Sequence, residues 1–108
     1  RWGRANVNDV EATELAPGAL AQTLSDGNPY IQRVQIAPGE TLAPYHHDFG
    51  ALHLVRVGTI EVAGEGLFDT EDSRWVPAGH QTEGTTAGPD GADLIIIGIG
   101  GQATFQWD

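Results

Sequence analysis

The sequence predicts an all-β sandwich or barrel in a single domain. Short apolar or alternating runs recur between Gly/Pro turns, at roughly 8–12-residue spacing. No stretch holds a long helical period. The 108 residues, 40% of them hydrophobic, suffice for one core, so a single domain over residues 1–108 is the economical reading.

The elements follow in chain order. Arg1–Val10 shows little pattern, and Asp9–Leu15 is a short helix-compatible run stopped by Pro17-Gly18. Ala19–Leu24 reads as a strand, ended by the turn Ser25–Pro29. Tyr30–Ala37 alternates, with Gln32, Val34 and Ile36 on one face and Ile31, Arg33 and Gln35 on the other. Pro38-Gly39 opens a histidine-bearing stretch that Gly58 closes, with the strand-like run Leu52–Val57 inside it. Thr59–Ala63 alternates as a half-exposed strand. Leu67–Phe68 and Ser73–Val76 are short strands around an acidic turn, Asp69–Asp72, which lacks the spacing of a calcium loop. His80–Thr86 is expected to be extended, and Gly88-Pro89-Asp90-Gly91 to be a strong turn. Ala92–Ile99 is a continuous apolar strand covered on both faces, and Gln102–Trp107 alternates cleanly. The G-x-G-x-x-A pattern at Gly98–Ala103 is not a dinucleotide motif, because no helix can follow it to take a pyrophosphate.

Composition removes several function classes. With no cysteine there is no disulfide, thiolate metal site or catalytic thiol. A net charge of −10, with five arginines and no lysine, opposes binding to nucleic acid and to anionic membranes. No apolar run approaches the roughly 18–20 residues of a membrane span. No signal peptide is visible, and the expected location is the cytoplasm, although the chain opens at Arg1 rather than methionine.

Gly39–Gly58 organises the candidate site. Strand parity lets Tyr45, His47 and His53 point into one cavity, with His46 turned outward, or with the roles of His46 and His47 exchanged if a bulge shifts the register. His53, Val55 and Val57 share a face by the same rule. The fourth histidine, His80, follows Pro77-Ala78-Gly79. Arg33 is a candidate for greeting an anionic substrate, and Trp75 for lining the barrel mouth; a surface role for the first and core packing for the second are the alternatives.

The frame resembles the cupin superfamily, whose fold is a small jelly-roll barrel. The first cupin motif runs Gly, five residues, His-x-His, three or four residues, Glu, six residues, Gly. Gly39 and Gly58 stand at its two ends, which puts its histidine positions at Tyr45 and His47 and its glutamate at Ala51. The second motif contains Pro-x-Gly-x-x-His; Pro77-Ala78-Gly79 matches, with Thr82 at the histidine position. The resemblance covers roughly residues 30–100. Of the four family metal ligands only His47 is in place. His53 and His80 each lie one pleat repeat, roughly 6.5–7 Å, from a lost position and keep its parity. A shifted site of His47, His53 and His80 is therefore expected to hold one divalent transition metal, iron, zinc, nickel or copper, with Tyr45 as an acid/base group.

The resemblance implies a small metal-dependent enzyme acting on a small organic molecule, leaning to dioxygenase, with isomerase and cyclase as the other classes. Tyr45 and His47 would be catalytic, and Tyr45, Arg33, Trp75 and Thr82 would contact substrate. It also implies a homodimer, for which the alternating C-terminal strand is the expected edge. Two alternatives stand. A cupin with no metal could use histidine and tyrosine for acid–base isomerisation, dehydration or cyclisation. A ligand-binding cupin would have no turnover.

Overall fold

A computed structural model describes residues 2–108. Ten strands follow a 3-10 turn at Val7–Asp9: β1 (Thr13–Ala16), β2 (Ala19–Asp26), β3 (Tyr30–Ile36), β4 (Thr41–Leu42), β5 (Tyr45–His46), β6 (Gly50–Val62), β7 (Gly66–Phe68), β8 (Ser73–Val76), β9 (Thr85–Ile99) and β10 (Gln106–Trp107). Eight of them form one sheet in the order β1-β2-β3-β9-β6-β7, with β4 on β9 and β8 on β6. A two-stranded ladder of β10 on β5 completes the jelly roll. All pairings are antiparallel.

The core is an alternation carried across the sheet. Val34, Leu94 and Val55 stand in one cross-strand row, and all three are buried. The next row on the same inward face reads Gln32, Ile96, His53, Arg74. It too is buried throughout, although three of its four residues are polar. The neighbouring outward row holds Ile31, Ile97, Leu52 and Trp75.

Several expectations change here. The helix-compatible Asp9–Leu15 run instead spans the last residue of the 3-10 turn, an irregular stretch and the beginning of β1. Leu52–Val57 and Thr59–Ala63 are one strand, because β6 runs straight through Gly58. Gly58 has φ +78, and a Cβ there would overlap the Gly91 carbonyl oxygen, so glycine lets the two backbones touch without ending the strand. The same place explains Gly88–Gly91. Between Gly58 and Ile60 of β6, the partner strand passes from Ala92 to Ala87, so residues 88–91 loop out as a bulge within β9. A second register shift between Val55 and Val57 breaks the parity, and Val57 faces solvent rather than sharing the face of His53. Gln102–Trp107 is a strand only at Gln106–Trp107. It lies along β5, over the barrel interior, rather than at the rim of the large sheet.

Among the described residues, no helix is long and apolar enough to cross a membrane.

Candidate functional site

The site is assembled from β5, β6, β8 and the segments around Thr82 and Thr104. Tyr45 and Thr82 exchange backbone hydrogen bonds, Tyr45 N–H to Thr82 O at 3.0 Å and Thr82 N–H to Tyr45 O at 2.7 Å. That bridge aligns both side chains inward. His47 follows two residues after Tyr45 and is wholly buried, while His46 turns out to Asp108, Nδ1 to Oδ1 2.9 Å. His53 arrives from β6, 2% exposed, directly beside Arg74 of β8.

The two buried histidines form a directed chain. His47 Nδ1 lies 2.8 Å from Thr104 O, which can only accept, so the neutral ring carries its proton on Nδ1. Its Nε2 is then an acceptor, and His53 Nε2–H donates to it across 3.0 Å. Burial lowers the basicity of His47, with the nearby Arg74 charge adding to it and the Thr104 hydrogen bond opposing. Burial holds His53 well below the ordinary imidazole value, helped by His47 and Arg74. Tyr45 moves the other way: burial raises its phenol, with Arg74 and Thr82 partly opposing. The Tyr45 and His53 rings lie parallel with centroids 6.4 Å apart, and Tyr45 and His47 centroids are 5.2 Å apart.

Arg74 is the member that sequence reading missed. It is 6% exposed. Its Nε donates to Glu65 Oε1 at 2.6 Å, and Nη2 to Glu65 Oε2 at 2.5 Å and Thr82 Oγ1 at 3.0 Å. The Arg74 hydrogen bond holds Glu65 below the usual carboxylate range. A signal for Arg74 was present. Val76 before Pro77 is an inward apolar residue, and Arg74 shares its parity. Thr104 acts through its carbonyl, which leaves no trace in the sequence.

Three candidates sit elsewhere. His80 has a side chain 45% exposed, with Nε2 3.5 Å from Glu65 Oε2, and it does not join the buried pair. Trp75 is on the outward face of β8, 57% exposed, because it alternates with Arg74. Arg33 likewise alternates with the inward Gln32 and Val34, and its fork is taken by Asp93, Nη2 to Oδ2 2.7 Å. Tyr45, His47, His53 and Thr82 do come together.

The residues present do not fit a three-histidine metal centre. Among the described residues no group of three His, Asp or Glu side chains is placed to hold an ion. At Thr82, where the second cupin motif supplies a histidine, the hydroxyl is bonded by a permanent cation. Its charge disfavours protonation of both remaining imidazoles and opposes a second cation between them.

The C-terminal segment covers this side of the interior. Ala103 is fully buried, and the Phe105 ring packs on Tyr45 (centroids 4.6 Å) and on His47 (5.0 Å). Trp107 stacks on Phe105 at 5.5 Å.

Comparison with known proteins gives the fold. No family model and no curated protein matches the chain. Solved structures do. An RmlC-like cupin from Shewanella frigidimarina is 20% identical with a TM-score of 0.74, covering 87% of this chain and 86% of its own. An acetylacetone dioxygenase from Acinetobacter johnsonii is 14% identical with a TM-score of 0.73, covering 93% and 74%. The polyketide cyclase RemF from Streptomyces resistomycificus is 15% identical with a TM-score of 0.69, covering 90% and 78%.

Proposed function

We propose that this chain, whose fold is that of solved cupin structures, is a small-molecule enzyme working by proton transfer, an isomerase, dehydratase or cyclase, rather than through a three-histidine metal. The observation that carries this is a pair of opposed environments in one buried cluster. His47 and His53 are held as free bases, and Tyr45 is held as a protonated phenol. Titratable groups pushed apart in this way are how a site keeps base and acid ready together. Thr104 fixes the ring of His47 so that Nε2 is its basic atom. Because that atom already accepts from His53 Nε2–H, a proton reaches it by relay: His53 takes one at Nδ1 as its Nε2 proton passes to His47, and the resulting imidazolium still rests its Nδ1–H on the Thr104 carbonyl, which favours the charged form. Tyr45 is the donor for an oxygen that gains charge. The structural likeness to a protein named a polyketide cyclase makes cyclisation of a carbonyl compound the first class to assay.

A second reading keeps a metal on His47 and His53 alone. Their Nε2 atoms are 3.0 Å apart. Two nitrogens bound to one zinc at about 2.0–2.1 Å would lie about 3.3 Å apart at the tetrahedral angle. The likeness to a protein named an acetylacetone dioxygenase belongs with this reading.

One experiment separates them. The full chain is analysed for metal, then assayed on a panel of small carbonyl compounds before and after prolonged chelation. Turnover that survives chelation and is lost in His47→Asn is the expected result. Turnover lost on chelation and restored by one metal overturns the acid–base reading.

A further inference from the structure

The cluster leaves one strong donor unused. A guanidinium carries five N–H groups. In Arg74, Nε–H and one Nη2–H go to Glu65 and the other Nη2–H to Thr82. Nη1 makes no hydrogen bond of good geometry, although the atom is buried, and the Tyr45 hydroxyl is the further polar group facing the guanidinium. Such a group is costly to bury and calls for an explanation, because nearly all buried polar atoms are paired. A second unpaired buried atom, Gln32 Oε1, stands in the same inward row, on the other side of His53. The row therefore holds a spare donor next to the histidine and a spare acceptor at its far end, beyond Ile96.

The two charges of the Arg74–Glu65 pair are unequally buried. Glu65 answers Arg74 from the rim, with its side chain 31% exposed. The Arg74 charge is felt at His47 and His53, and Glu65 is felt beside it at Tyr45. Among the described residues no carboxylate is buried with them. The cation of the pair is the buried partner and the anion the rim one, in a protein whose net charge is −10.

We propose that the barrel interior binds a small carboxylate, with Arg74 Nη1 as its principal donor. This rests on the reading of the same cluster as the functional site, and names its substrate class as a small organic acid. Arginine suits this role because its charge is permanent and its planar donors match carboxylate oxygens. The Glu65 pair and Thr82 hold the guanidinium plane, so Nη1 is pre-aimed. The cross-strand pairing of Arg74 with His53 sets a bound acid beside the histidine pair.

The test uses acetate and its neutral isostere acetamide as probes, with the full chain at constant ionic strength. Two readouts are followed, the melting temperature and the His53 ring proton resonances. Acetate is expected to raise the melting temperature and move the His53 signals, with acetamide doing neither. Arg74→Met should abolish both acetate responses. Equal responses to the two probes, or none, would overturn the proposal. So would an undiminished response in Arg74→Met. If that variant does not fold, the contrast between acetate and acetamide in the native chain still decides. Binding is read without turnover, so the two readings fail separately. His53→Gln should lose activity under the acid–base reading while Arg74 keeps its acetate response.

Discussion

His47 is pinned at both ring nitrogens, and that makes the pair, rather than either ring, the unit of the site. Removing His47 strands the Thr104 carbonyl and the His53 N–H together. Removing His53 strands only the acceptor lone pair of His47. A buried group left unpaired costs about 1–3 kcal/mol, whereas replacing both partners with apolar groups can be nearly neutral. His47→Leu is therefore expected to destabilise more than His53→Leu. The double variant should fall short of the sum of the singles by about 1 kcal/mol or more. Urea denaturation of the four proteins measures this, and strict additivity would show that the rings do not share a bond. Legibility at this scale follows the same physics. Parity places Tyr45, His47 and His53 on one inward set, Tyr45 in β5, His47 just past its end and His53 in β6. His80 fails the same argument because Pro77-Ala78-Gly79 starts a turn in which strand parity does not hold, with His80 N–H bonding back to Pro77 O. Arg74 went unseen because a charged residue is normally assigned outward, and only its neighbour Val76 argues otherwise.

At the scale of elements, the barrel is closed by a light strap. Residues 102–108 hold β10, only two residues long, against β5, with the Asp108 N–H to Pro44 O bond and the His46–Asp108 contact beyond it. By contrast, β9 is paired along nearly its whole length with β3, β4 and β6. Local opening follows contact density, so the strap is the segment to open first. Any ligand reaching His47 has to pass it, since Phe105 covers both His47 and Tyr45. Phe105→Ala should cost about 1–3 kcal/mol, below the full range for a wholly buried phenylalanine. It should also speed amide exchange at residues 103–107 while leaving Ile95–Ile97 protected. Hydrogen exchange checks this, and equal acceleration in β9 would mean the strap is part of the global fold. The strap was legible as an alternating strand but not as a cover. Its place depends on pairing with β5, far away in sequence. The bulge at Gly88–Gly91 shows the converse. Its turn residues are real, but a turn can be inserted into a strand when the partner offers a glycine such as Gly58 to keep the ladder continuous.

For the whole molecule, the buried cluster ties stability to pH in a definable window. Both histidines have folded values below the ordinary imidazole value, so the unfolded chain takes up their protons first as pH falls. Where the unfolded state binds more protons, stability rises with pH. The contribution of His47 and His53 is thus fully present above about pH 6.5 and is lost progressively below it. Each histidine can remove at most about 1.4 kcal/mol per pH unit. Glu65 acts in the same direction but lower down. Its value is depressed by Arg74, so its contribution is present above the ordinary glutamate value and lost as pH falls through the depressed one. The decline between pH 6.5 and 5 therefore belongs to the histidines and the further decline in more acid solution to the carboxylates. Denaturation curves at pH 7.5, 6.5, 5.5 and 4.5 separate the two. The native chain should weaken steadily from 6.5 to 5.5, and the double leucine variant should be nearly flat across that interval. A flat native chain there would mean that the histidines can be protonated in place, which would remove the neutral base on which the proton-transfer reading stands.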